Sequence, residues 1–320
     1  MTKMLIGCYS AGKGTGSGIV VLDDDDELVA TIPTESPSWI AMHPRLPVLY
    51  AVAEADAGLV HAWSLARGVP TRALGSGQTG GAEPCHLTVD TTGKFLIAAN
   101  YTGGSISVHR LADDGRIGSR TDLVGHDRRG AHPRQVTAHP HMIHAVDDGL
   151  LVTDLGGDAI YRYRLRPDGR LRLDDIVSVP EGSGPRHVLP VAELSYVTAE
   201  LTGQVLVYDA DWQLVGAVPA STAAAENYPS ELVSDGRYLY VANRGPDTVS
   251  VFALNGTLPR YVTEVPVGQW PRHIALDGDM LYIANERSHE VMAMRLDPRT
   301  GIPALVRTIA VPSPACVLVP

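Results

Sequence analysis

Cysteine is scarce: three residues, Cys8, Cys85 and Cys316, in a chain of 320. None stands at a CxxC or other metal-ligand spacing, and the odd count argues against a disulfide framework, so a reducing compartment is expected. No charged segment followed by an apolar stretch opens the chain, since residues 4–9 (MLIGCY) already read as a strand, and the cytoplasm is the expected location. No apolar run is long enough to span a bilayer. Excess positive charge is also missing. The net charge is −10, which argues against nucleic acid or an anionic membrane as the main partner. Aromatics make up only 6% of residues, and no long run of strong helix formers shows a 3.6-residue period.

What is present is short. Val, Ile, Leu and Tyr runs alternate with Gly, Asp, Asn and Pro, drawing on 32 glycines and 23 prolines. That punctuation predicts an all-β chain. The runs also repeat. Residues 84–111 (PCHLTVDTTGKFLIAANYTGGSISVHRL), 229–254 (PSELVSDGRYLYVANRGPDTVSVFAL) and 271–296 (PRHIALDGDMLYIANERSHEVMAMRL) share one template, and 37–65, 140–165 and 185–209 follow it. The unit is Pro, an alternating strand, an Asp/Gly turn, an aromatic-rich strand, a polar residue, a Gly turn and a third strand, with a variable fourth strand in the linker. Its prolines fall at 37, 84, 140, 185, 229, 271 and 314. A spacing in the forties with four short strands per unit is the mark of a propeller blade.

The termini fix the count at seven. The unit that begins at Pro314 ends after one strand, and the chain opens with the strands that unit lacks, MLIGCY (4–9) and GIVVL (18–22). The last blade is therefore expected to draw on both ends, closing the ring without a free edge. Residues 1–320 then form one seven-bladed β-propeller domain. Cys8 and Cys316 should lie on neighbouring strands of the shared blade as small buried hydrophobes. A closed ring needs no partner to cover an edge, so a monomer or weak homo-oligomer is expected.

In a propeller the start of each first strand and the end of each second strand meet at one mouth of the channel. The starts carry His86, His141, Arg186 with His187, Glu231, and Arg272 with His273. The second-strand ends carry Glu54, Asn100 with Tyr101, Asp154, Glu200, Asn243 with Arg244, and Asn285 with Glu286. Charges crowded at such a mouth perturb one another's pKa values, as catalytic groups require. Asn100, Asn243 and Asn285 recur at one repeat position and are read as turn-satisfying residues. Asp154, Glu200, Arg186 and Arg272 break the pattern and are read as functional. Residues 125–141 (GHDRRGAHPRQVTAHPH) form the longest linker, either a lid over the mouth or a solvated loop. Its histidines, His126, His132, His139 and His141 with nearby His144, raise the possibility of a metal site; the simpler reading gives them positioning or catalytic roles, with no cofactor.

Taken in order, HPH (139–141), DLGGD (154–158), GSGPRH (182–187), AEL (199–201), YLYVANRG (238–245) and WPRHIAL (270–276) resemble the lactonase family of seven-bladed propellers, over essentially the whole chain. That family includes propeller-type 6-phosphogluconolactonases and carboxy-muconate cyclases. The resemblance implies catalytic roles for His141, Arg186, Glu200 and Arg244, with Arg272, His86, His187, Tyr101, Asp154 and Glu54 contributing to substrate binding. Blade one departs from the family in reading YAVAE, and blade four in lacking the usual Asp-Gly turn, which leaves the aim of Glu200 open. The expected activity is hydrolysis of a small anionic lactone, the arginines binding the anion and Glu200 or His141 acting as base. Lactonising cyclisation or isomerisation is the alternative within the enzyme class, and a non-catalytic binding scaffold the alternative outside it. No GxSxG elbow is present, so a serine nucleophile is not expected.

Overall fold

The computed structural model describes residues 4–147 and 149–320. Among these, every regular element is a strand, and the strands form seven four-stranded antiparallel sheets. Six blades are built from four consecutive strands each. In the seventh, the order runs from Pro314–Leu318 through Met4–Cys8 and Ile19–Leu22 to Leu28–Ile32, so the two ends of the chain pair directly, with Leu5 opposite Leu318 and Gly7 opposite Cys316. The propeller is thus closed by strands from both termini. Cys8 and Cys316 are buried free thiols on adjacent strands, each pushed up to about 12 by desolvation.

The innermost strands, Ile40–Met42, Pro84–Val89, Pro140–Val146, Pro185–Val191, Tyr228–Ser234, Pro271–Asp277 and Pro314–Leu318, touch one another in that cyclic order. The core follows the same plan. It divides into seven clusters, each filled from two neighbouring blades; Tyr50, Val52, Leu87 and Leu96 pack between blades one and two, and Leu5, Ile19, Leu49 and Trp63 between blades seven and one. Each fully buried aliphatic side chain contributes about 1.5–3 kcal/mol. No single interior exists; the seven interfaces stabilise the molecule jointly.

One local irregularity recurs and positions the site. In blades two to six the register of the inner strand shifts directly after the proline or within the next two residues. A bulge lets consecutive residues escape the usual alternation and re-aims side chains. The residues that occupy it are Cys85, His141, Arg186 with His187, Ser230 with Glu231, and Arg272. Proline suits the preceding position because it has no N–H to give to the ladder.

Candidate functional site

At one end of the channel a cavity of about 220 Å³ is lined by Tyr9, Glu54, Glu83, Cys85, Tyr101, Arg134, His141, Glu200, Arg244 and Arg272. Two other grooves lie apart from it, between blades three and four and between blades two and three.

Glu200 organises one wall. In blade four the turn is closed by Ala192 in the left-handed region (φ 52), and Pro185 pairs with Ala199, which sets Glu200 at the mouth. Its Oε2 accepts from Arg244 Nη2 at 2.6 Å and lies 3.2 Å from Arg186 Nε, which is not aligned for a hydrogen bond. Its Oε1 lies 2.7 Å from Arg134 Nη2. Burial by itself would raise this carboxyl, but Arg244, Arg186 and Arg134 override it and hold it at about 2. Glu200 is therefore a fixed anion at neutral pH and a poor proton acceptor.

The opposite wall is a second charged group. Glu54 accepts from Tyr9 Oη at 2.9 Å and from Lys13 Nζ at 3.1 Å, and Arg272 lies 3.9 Å from both Glu54 and Glu286. The Arg272 guanidinium stacks 4.8 Å over the Tyr9 ring, and Lys13 also pairs with Glu83 at 2.7 Å. His141 stands between these walls. Burial, with Arg186 and His187 beside it, keeps its pKa well below the ordinary imidazole range, so it is neutral at pH 7. Its Nδ1 is buried without a partner among the described residues.

Of the residues read from the sequence, His141, Glu200, Arg244, Arg272, Tyr101 and Glu54 come together around this cavity. Arg186 does not line it; it lies buried beneath Glu200, with Nη1 donating to the Ser230 carbonyl at 2.6 Å. His86 and His187 sit deeper, around Trp39, with ring centroids 4.1 and 5.6 Å from it. Asp154 is away from the cavity. It is fully buried and its carboxylate accepts the backbone N–H groups of His139 and Gly157 and meets His126 Nδ1 at 2.9 Å. That network anchors the long 125–141 segment, which does reach the mouth: Arg134 extends from it to Glu200 and, at 3.4 Å, to the Tyr101 hydroxyl. The segment's histidines diverge. His139 stacks on Tyr101 at 4.4 Å, His126 on Tyr161 at 3.7 Å, and His132 Nδ1 accepts the Arg134 N–H. Among the described residues no group of three or more His, Cys, Asp or Glu is arranged to hold a metal ion. Asn100 donates to Ser105, and Asn243 to Ser250, inside their own blades.

Sequence reading did not single out Tyr9, Lys13, Glu83, Cys85 or Arg134. Tyr9 was within reach, because it follows the second strand of the shared blade as Tyr101 follows that of blade two. Lys13 and Arg134 come from irregular loops, whose course no repeat records.

Residues 3–319 match the family described as Lactonase, 7-bladed beta-propeller. The chain belongs to that family. It is 30% identical to the 6-phosphogluconolactonase of Bacillus subtilis, over 99% of this chain and 98% of that one. It is 28% identical to the 6-phosphogluconolactonase of Formosa agariphila, over 93% of each. Among solved structures, the periplasmic gluconolactonase PpgL of Pseudomonas aeruginosa superimposes with a TM-score of 0.91 at 27% identity, covering 99% of this chain and 98% of that one. The lactonase propeller described here is accordingly a lactonase-like hydrolase. No helix among its described residues is long and apolar enough to cross a membrane.

Proposed function

We propose that this lactonase propeller hydrolyses a small anionic sugar lactone, of the 6-phosphogluconolactone type, in the cavity around His141. The observation that carries this reading is the division of roles between the two candidate bases. Glu200, held at about 2 by three guanidinium groups, stays ionised and fixes the arginines. His141 is neutral, so its imidazole keeps a lone pair, and it lines the same cavity.

Charge supports an anionic substrate. Arg134, Arg244 and Arg272 line the cavity against Glu54, Glu83 and Glu200, so the site is locally balanced on a protein whose net charge is −10. Guanidinium forks match carboxylate and phosphate oxygens. Burial is the main influence that depresses His141, and an anion bound beside Arg272 offsets the positive charge that adds to it, which makes the imidazole a better base once substrate is in place. The reaction then needs few parts. His141 removes a proton from water as the oxygen adds to the lactone carbonyl, and an arginine N–H stabilises the oxyanion. When the ring C–O bond breaks, His141 returns the proton to the leaving oxygen, giving the open hydroxy acid. Loss of one oxyanion donor typically costs about 10²–10³-fold in rate.

The test is turnover of 6-phosphogluconolactone above its spontaneous rate, beside unphosphorylated gluconolactone and a carboxy-muconate control. His141→Ala is expected to lower kcat by about 10²–10⁴-fold while substrate still binds. Wild-type protein that turns over no lactone, or a His141→Ala variant that keeps full activity, would contradict the proposal. The cytoplasm is the compartment that three free, buried thiols fit.

A further inference from the structure

Beneath His141 the channel holds titratable groups that the proposed reaction does not use. His187 Nδ1 lies 2.8 Å from Glu231 Oε1, and both residues are almost wholly buried, at 1% and 5% exposure. The same Oε1 accepts the Leu232 N–H at 3.1 Å, so it acts as an acceptor toward both neighbours. That puts the His187 proton on Nδ1 and leaves the Nε2 lone pair free. His187 Nε2 is buried with no partner among the described residues, and so is His141 Nδ1. The two rings are adjacent, their centroids 5.1 Å apart. Two buried orphan nitrogens on neighbouring imidazoles, not aligned for a direct bond, require a polar partner that one water between them would supply.

We propose that His187, held by Glu231, is a positioning residue for His141 in the lactone hydrolysis put forward above, on which this inference rests. One bridging water accepts the His141 Nδ1–H and donates to the His187 Nε2 lone pair. That fixes the tautomer in which His141 Nε2 is the unprotonated base. When His141 takes a proton from the attacking water, its imidazolium is stabilised through Nδ1–H by His187 and, behind it, by Glu231. The proton itself leaves again from Nε2 to the ring oxygen, so His187 and Glu231 end the cycle as they began. The logic is that of a base oriented by a second group, built here from two histidines and a glutamate.

The fold supplies the alignment. His141, His187 and Glu231 come from the bulges of three consecutive blades, three, four and five. Trp39, from blade one, reaches across the channel and bounds the cluster, its ring 5.6 Å from that of His187 and 5.0 Å from that of His273. The charged surroundings are opposed in sign. Burial, and then Arg186 on the same strand with Arg272 and Arg244 from blades six and five, disfavours protonation of His187, while Glu200 and the paired Glu231 favour it. His86 and His273 flank the cluster from blades two and six, and His273 Nε2 lies 3.7 Å from Glu231 Oε2. Tyr101 meets the His141 ring edge-on at 5.7 Å, and the Cys85 thiol lies against the His141 carbonyl at 3.3 Å.

The experiment compares pH profiles of 6-phosphogluconolactone hydrolysis for the wild type and for Glu231→Gln, His187→Gln and the double variant, with His141→Ala as reference. Gln at 231 keeps the acceptor and removes the charge. It is expected to lower kcat about tenfold or more with KM within about twofold, and to move the acid limb of kcat/KM to lower pH. The double variant should be no worse than the weaker single one, because the pair acts as a unit. A Glu231→Gln enzyme with kcat within about twofold of wild type, or one slowed without movement of the limb, overturns the proposal. Nitrogen-15 NMR of the wild-type histidines needs no variant to fold: His187 should carry its proton on Nδ1, and the Nε2–H tautomer would refute the assignment. If His141→Ala retains turnover, the base reading itself fails; if it is dead while Glu231→Gln is unaffected, only the role of His187 and Glu231 falls.

Discussion

Glu200 sits under opposing influences, and their balance has a measurable consequence. Burial favours its neutral form, three guanidiniums favour its anion, and the anion prevails, with the pKa falling from the ordinary 4.5 to about 2. Because the folded value lies below the unfolded one, this group stabilises the fold fully above pH 4.5 and loses that contribution as pH falls through about 2. Glu200→Gln leaves Arg134, Arg186 and Arg244 without their shared counter-charge, and removing one partner of a buried pair costs roughly 3–5 kcal/mol. Urea denaturation should therefore show the variant less stable at pH 7, with the gap to wild type narrowing steadily toward pH 2. A constant gap would mean that the charge of Glu200 is not what stabilises this wall. At this scale the sequence was informative where the repeat template applies. Glu200 stands out as a departure from a polar rim position, and Arg244 through the family resemblance. Arg134 does not, since nothing in a His- and Arg-rich loop tells which guanidinium turns inward.

At the scale of elements, the long segment between blades two and three is neither a free lid nor a merely solvated loop. It is tied down at its base. Asp154 accepts backbone N–H groups from His139 and Gly157 and holds His126, which also meets the Tyr163 hydroxyl at 2.9 Å. Gly156 allows the segment to pass close by, since a Cβ there would overlap the Thr137 carbonyl. Gln135 adds a second tie, donating to the Leu155 carbonyl and to Asp158. Asp154→Ala breaks the first set of bonds at once and strands buried donors, each worth roughly 1–3 kcal/mol. Limited proteolysis should then cut faster between residues 126 and 139, and KM should rise because Arg134 loses its fixed origin. Unchanged proteolysis would show that Gln135 and the flanking strands suffice. The sequence pointed to Asp154 as exceptional for its repeat position, but only the backbone course around it distinguishes an anchor from a ligand-binding group.

On the scale of the whole molecule, stability depends on closure. Every interblade core needs two blades, and the two interfaces that blade seven makes, with blade six and with blade one, are built on strands from opposite ends of the chain. Deleting residues 314–320 removes the inner strand of the shared blade, exposes an edge and opens two interfaces together. Such a truncated chain should lose the cooperative thermal transition altogether, whereas stepwise partial melting would indicate blades that are stable alone.

Repetition made the architecture legible in the sequence. Seven prolines at near-regular spacing, strands of period two between turn residues, and a split last unit determine the number of blades, the closure and the end of the ring at which polar residues gather. These are local signals, fixed by backbone chemistry that recurs in each unit. Tertiary structure alone decided which polar groups meet. The arginines converge on Glu200, His187 binds Glu231, Trp39 crosses the channel, and Asp154 turns to a loop instead of the cavity. Those outcomes depend on distances across the ring, between residues scores of positions apart, where side-chain reach and the twist of each bulge set the contact and no local pattern records it.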